Sequence, residues 1–295
     1  MPRHITSLEG FIRKLSKITS ERQNQTLVFR GHGRKTFEAT PSVLRVKNHI
    51  KNEHLLFRQI LARHPQEFMT DSSTFDRLVR AQHYGIPTRL LDVTNNPLVA
   101  LYFAVSSHPS DIGSVLAMRP NLSKQKYFDS DAVSILASLS LLNTAEKGTI
   151  REHLIHCKGE ETTRRDFQVT LSTTDKECIE KFNEHEAVKK LIQFVRHEKS
   201  DFRPIVDPLD LVRTISVVPK RLHKRIEAQD GAFLVFGIDV PPSAEIVNDI
   251  PYDEIAIAPS SKNRILKELS LLGITEQDLF PDIERSAKAI TKRYS

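Results

Sequence analysis

Cysteine is scarce in this chain, long apolar runs are missing, and the usual nucleotide and hydrolase motifs are absent. Each absence excludes something. The two cysteines, Cys157 and Cys178, can neither frame a disulfide-stapled fold nor supply a clustered thiolate zinc site. No apolar run approaches the ~18 residues of a membrane span. The opening residues, MPRHITSLEGFIRKL, have neither the apolar stretch nor the small-residue cleavage site of a secretory signal. Together these lead to the expectation of a cytoplasmic protein with no membrane partner. There is no P-loop, no GxGxxG after a strand and no GxSxG. Kinase, NTPase, Rossmann-type dehydrogenase and α/β-hydrolase chemistry are therefore disfavoured.

What is present suffices for a packed core. Hydrophobic residues make up 39% of the 295 positions and charged residues 27%, a balance that excludes wholesale disorder. Lysine and arginine number 43 against 37 acidic residues, a formal net charge of +6. That mild excess suits a basic patch facing an anion rather than a histone-like tail.

Apolar residues recur at helical spacing over 6–20, with Thr6 or Ser7 as cap. A short buried strand is expected at 26–30, and 38–46 turns through Pro41. A long helix fits 48–69, interrupted near Pro65, and another fits 73–84 with Ser73 as N-cap. Residues 88–94 read as an irregular turn. Asn96 then caps an almost wholly apolar helix whose first position is Pro97, where proline fits best. Strands are expected at 112–119, 211–218, 231–238, 244–247 and 253–259. A short helix is expected around 220–229, and longer ones at 261–273 and 282–292. Between the strands, 120–210 is glycine-poor and rich in helix formers, with helices at 130–143 and 178–199. The expectation is one α+β domain over 1–295 with a helical insertion at 120–210.

Two segments concentrate polar residues against apolar surroundings. In FRGHG (29–33) a strand ends in Arg30, and glycines on both sides of His32 let the backbone come close to something; the arginine fork suits phosphate or carboxylate. In QHYGIPTRLLDVTNNP (82–97) a loop held by Gly85 and Pro87 lies between two apolar helices. Its structural alternatives are an Arg89–Asp92 ion pair and capping of the next helix by Asp92, Thr94 or Asn96. The run Lys220, Arg221, Lys224 and Arg225 is either a solvated helix or a phosphate-contacting patch, which Lys262, Arg264, Lys267, Lys288, Lys292 and Arg293 could extend. His153 and His156 beside Cys157 read as a helix face rather than a metal site.

The stretches FRGHG, PSVLR, AQHYGIPTRLLDVTNNPLVALYFA and RIEAQDGAFLVFG resemble the FRG domain family, most strongly over 26–119 and 211–240. Val93 stands where that family typically carries tryptophan. The order of elements is also similar to the ADP-ribosyltransferase fold, which implies a mixed, mostly antiparallel β core. In that resemblance the first motif falls on Arg30 with His32. The second falls on the 84–94 loop, and the third on Gln229 or Asp230.

NAD is the implied substrate. Arg30 or Arg89 would face the pyrophosphate. Gly31 would allow close approach. His32, His83 and Thr88 would meet the ribose hydroxyls, Tyr84 would lie against nicotinamide, and Thr94 would also contact NAD. Asp92, Gln229 and Asp230, with Glu227 as a further candidate, compete to stabilise the cationic ribose. The family setting implies a toxin-like or anti-phage effector, restrained by an antitoxin or sensor protein. It would modify a macromolecule, RNA or another nucleic acid being slightly favoured over protein. The alternatives are a metal-independent ribonuclease using His83, Arg89, His32 and Tyr84, and a non-enzymatic nucleic-acid or nucleotide-binding module.

Overall fold

The computed structural model describes residues 4–21, 26–120, 125–156, 176–238, 250–281 and 291. The strand expected at 244–247 lies outside these residues, as does nearly all of the helix expected at 282–292.

Helix α1 (Leu8–Ser20) starts on Ser7, whose hydroxyl accepts from the Gly10 amide. Strand β1 (Val28–His32) follows, then a 3-10 turn at Ser42–Arg45. Helix α2 (Lys47–Arg63) ends before Pro65, and the chain continues as a 3-10 turn (Pro65–Phe68). Helix α3 (Thr74–His83) is capped by Ser73. Residues Leu90–Thr94 are strand β2 rather than an irregular turn. Leu90, Leu91, Val93 and Thr94 are buried there, on both faces of the strand, and only Asp92 is exposed. No alternation is left to signal the strand. Helix α4 (Pro97–Val105) is capped by the Asn96 side chain, and strand β3 (Gly113–Met118) follows it.

The helix-rich middle opens with a two-residue strand, β4 (Lys126–Tyr127), and then α5 (Asp131–Ser138) and α6 (Thr144–His156). The expected single helix at 178–199 is two, α7 (Lys176–Asn183) and α8 (Glu186–Glu198), with His185 in extended backbone between them. A short α9 (Pro208–Val212) takes the first residues of the strand expected at 211, leaving β5 as Thr214–Val218. Helix α10 (Lys224–Ala228), β6 (Gly231–Phe236), β7 (Tyr252–Ile257), α11 (Lys262–Ser270) and α12 (Glu276–Leu279) complete the described chain.

The strands form a mostly antiparallel seven-stranded sheet in the order β4-β5-β6-β2-β1-β3-β7, with only β4–β5 parallel. The register puts Phe29, Gly31, Asp92, Thr94 and Phe233 on one face. Over its β5–β6–β2 half, that face packs on the helices of the middle segment together with α2 and α3. Residues from Val133 to Leu154 and from Phe182 to Val206 therefore share one core with the FRGHG half of the chain. Over the β1–β3–β7 half it packs on α1, α4 and α11. The opposite face carries Arg30, His32 and a smaller cluster with Val93, Leu116 and Leu234, closed by Ala39 and Ile250.

The closest helix–sheet approach explains the first glycine of FRGHG. A Cβ on Gly31 would lie 1.9 Å from the Ala100 carbonyl oxygen and 2.9 Å from the Ala104 amide of α4. Backbone on both sides cannot step aside, so Gly31 serves helix packing and not the approach of a ligand. Gly31→Ala is expected to cost at least ~1–3 kcal/mol and to lower the melting temperature, measured by circular dichroism.

Candidate functional site

The sheet is interrupted at its centre. Strand β1 pairs with β3 at five positions, Val28 to His32, and β2 pairs with β6 at five, Leu90 to Thr94. Between β1 and β2 the register holds at one pair alone, Phe29 with Thr94. Beyond it the strands part into a notch, and the FRG arginine bridges the notch. Arg30 donates from Nη1 to the Asp92 carbonyl oxygen at 2.5 Å and from Nε to His32 Nε2 at 3.0 Å. Among the described residues its Nη2 has no hydrogen-bond partner.

Burial holds the His32 imidazole down at about 4, with the charges of Arg30 and Arg45 adding to the effect. His32 is therefore neutral at pH 7, accepts at Nε2 and orients Arg30 rather than moving protons. Burial also pulls Arg30 below the ordinary arginine value, while Asp92 opposes that shift. On acidification the unfolded chain protonates His32 near 6.5, well before the folded protein does near 4. This contribution to stability is whole above pH 6.5 and is lost as pH falls to about 4. His32→Gln should flatten the stability-against-pH curve in that window, read by urea unfolding.

Arg30 and His32 line a cavity of about 690 Å³ on their face of the sheet. Its ionisable wall comprises Arg30, Arg45, Lys47, Arg89, Lys147 and Arg151 against Glu38 and Glu53, with neutral His32: six cations, two carboxylates. Such an excess suits a polyanion of nucleotide size. Not all six are available to a ligand. Arg89 lies fully inside, forking onto Glu53 at 2.9 and 2.6 Å and donating to the Phe236 carbonyl. Lys147 reaches the same carboxylate. The Arg89–Asp92 ion pair, the structural alternative, does not form, and Arg89 braces the floor instead of clamping phosphate.

A second cavity of about 200 Å³ lies at the apex of the notch, between Arg30 on β1 and Asp92 and Thr94 on β2, with Phe103, Arg225 and Gln229 closing it. It continues into a crevice of about 90 Å³ holding Gln82, His83, Asp92, His223 and Arg225. Three motif residues form a chain there. The Leu90 amide donates to Thr88 Oγ1 at 3.2 Å, and the Thr88 hydroxyl donates to Gln82 Oε1. That fixes the amide so that Gln82 Nε2 donates to Asp92 Oδ2 at 2.8 Å. Buried Thr88 thus aims an exposed carboxylate from the middle of a buried strand.

Residues 25–111 match the family model of the FRG domain. The FRG stretch includes both strands of the notch, β1 and β2, together with α2, α3 and α4. No curated protein and no solved structure matches the chain.

The remaining expected site residues divide. Thr94 and the turn before β6 lock the FRG stretch to the C-terminal half: Thr94 Oγ1 donates to the Gln229 carbonyl at 2.7 Å, and the Asn95 amide donates to the Asp230 carbonyl at 3.0 Å. Asp230 holds this turn in the left-handed region, φ 43°. The Gln229 side-chain amide is spent on the Leu279 carbonyl at 2.9 Å, and Glu227 is exposed 4.0 Å from Arg221. Of the four carboxylate or amide candidates, Asp92 and Gln229 line the apex cavity, and Asp92 is the carboxylate of the two. Tyr84 stands on the surface at the end of α3, its hydroxyl on Glu67 at 2.9 Å, and does not line the cationic cavity.

The basic run divides too. Lys220 turns onto Ser72 and Asp76, at 2.6 and 2.9 Å. Arg221 and Lys224 are exposed, and Arg225 enters the crevice. Lys262 does not extend the patch. It is buried, and its ammonium binds the carbonyls of Gly33, Ser107 and His108 at 2.6, 3.0 and 2.8 Å. Lys288, Lys292 and Arg293 lie outside the described residues. His153 stacks on His185, and no three metal-binding side chains converge among the described residues. No helix among them is long and apolar enough to cross a membrane.

Sequence reasoning missed Gln82 as an orienting group, His223, and the cavity cations Arg45, Lys47 and Arg151. The signal for Gln82 was its place in the same polar segment as Thr88 and Asp92, six residues before Thr88. The cavity cations come from separate segments and carry no local signal.

Proposed function

We propose that this chain transfers ADP-ribose from NAD to a macromolecule, with the reaction centred on the β1–β2 notch. The observation that carries this reading is Arg30. It is immobilised through Nε and Nη1, with Nη2 left for a ligand, at the wall shared by a cationic cavity and the apex cavity. The pyrophosphate lies over Arg30, with Arg45, Lys47 and Arg151 beside it. The nicotinamide ribose points toward Asp92.

Breaking the bond between ribose C1′ and the nicotinamide nitrogen sends its electron pair to that nitrogen, which was cationic and leaves neutral. Positive charge develops on the ribose and is met by the pre-aimed Asp92 carboxylate. The acceptor's nucleophile then bonds to C1′ and releases its proton to Asp92.

Nicotinamide release from NAD by the purified protein tests the reading. Release that Arg30→Ala and Asp92→Asn suppress supports it. A folded protein that neither binds NAD nor releases nicotinamide contradicts it.

A further inference from the structure

The α3–α10 crevice carries a feature that NAD binding leaves unused. Three rings stand in a row, His83 and His223 lining the crevice and Tyr84 beyond its end. Tyr84, 52% exposed, meets His83 edge-on at 5.4 Å between centroids. His83 stacks on His223 at 5.3 Å, the planes only 10° apart. His223 Nε2 is buried and has no hydrogen-bond partner. Burial, and next the charges of Arg80 and His83, hold this imidazole below its ordinary value. At the end of the row Arg225 lines both the crevice and the apex cavity, its guanidinium 4.9 Å from the Phe280 ring centroid. Lys224 and Arg221 are exposed beside it.

Two exposed rings, Tyr84 and His83, backed by half-buried His223 and running into cations, suit a single-stranded nucleic acid: bases stack on the open ring faces, and phosphates meet the basic side chains. A duplex keeps its base faces covered and could use only the cations.

We propose that Tyr84, His83, His223 and Arg225 form a track for single-stranded nucleic acid, which leads the strand toward Asp92. This names the acceptor of the transfer reading and rests on it for the chemistry, but not for the binding. Tyr84 then stacks on a base of the acceptor rather than on nicotinamide.

The test is fluorescence anisotropy without NAD, at low salt, using short labelled single-stranded RNA and DNA of the same sequence and an unlabelled duplex competitor. Tyr84→Ala and Arg225→Ala should each weaken binding about tenfold. Arg225→Ala should also reduce the salt slope by about one. Arg45→Ala and Lys47→Ala, on the far side of the sheet, should bind within about twofold of wild type, and melting curves confirm folding of all four. Tighter binding of RNA than DNA assigns the acceptor's 2′-hydroxyl a contact, and equal binding assigns the bases and phosphates alone; both support the track. Unchanged affinity in Tyr84→Ala and Arg225→Ala overturns it, as does equal competition by duplex or no binding by wild type. The two readings fail separately. Strand binding lost in Tyr84→Ala, with no nicotinamide release by wild type, ends the transfer reading and keeps the track. Nicotinamide release with no strand binding does the reverse.

Discussion

Arg30→Ala is expected to lower NAD turnover by roughly 100-fold or more while leaving the protein folded. The guanidinium is bound to both sides of the notch, at His32 Nε2 and the Asp92 carbonyl. Its removal takes away a fixed cation at the pyrophosphate, where a charge-assisted contact is strongest. The folded state loses two hydrogen bonds, ~1–2 kcal/mol in all, because the two sheet halves still meet at Phe29 and Thr94. Arg30→Lys separates charge from shape. One ammonium cannot hold His32 and the Asp92 carbonyl while also presenting a donor to a ligand, so it should recover NAD affinity more than turnover. Steady-state nicotinamide release with a parallel thermal melt reads both effects. A melting temperature that collapses along with activity would make Arg30 a structural residue.

Glu53→Ala is expected to cause the largest stability loss of any substitution at the site, ~3–5 kcal/mol. Glu53 is 4% exposed and receives both the Arg89 fork and Lys147. Without it, two cations face each other in the cavity floor with no counter-ion. Burial works to raise the Glu53 carboxyl, but Arg89 and Lys147 outweigh it and hold the group at about 2. The unfolded carboxyl titrates near 4.5, so on acidification the unfolded chain takes up the proton first. The stabilisation is complete above pH 4.5 and is lost as pH falls toward 2, about 3 kcal/mol in all. Glu53→Gln retains acceptor capacity for one donor and should fall between wild type and Glu53→Ala. Urea unfolding at pH 7 and at pH 3 checks both points: the gap between wild type and Glu53→Ala should narrow at pH 3. A gap independent of pH would mean that the loss comes from packing.

Much of this architecture was legible in local signals. Ser7, Ser73 and the Asn96–Pro97 pair mark three helix starts because caps act within a single turn. Strand β2 was hidden because both of its faces are covered and its one exposed residue, Asp92, sits among turn-forming neighbours. The glycines of FRGHG signalled close approach correctly, but Gly31 meets a helix backbone rather than a ligand. Arg89 looked like a phosphate clamp because its partner Glu53 lies 36 positions away in sequence. Lys147 and Arg151 reach the cavity from the helix-rich middle, a placement that only the shared core determines. Arg30 and Asp92 stood out by residue type, whereas the notch that joins them follows from how two strands fail to pair.

Incubation with NAD labelled in its adenylate moiety, together with separate pools of cellular RNA, DNA and protein, tests the transfer reading most directly. The expected result is label in a nucleic-acid pool, nicotinamide released in step, and neither in Arg30→Ala or Asp92→Asn. Unlabelled pools with intact NAD, or RNA shortened in tubes that contain no NAD, would contradict it.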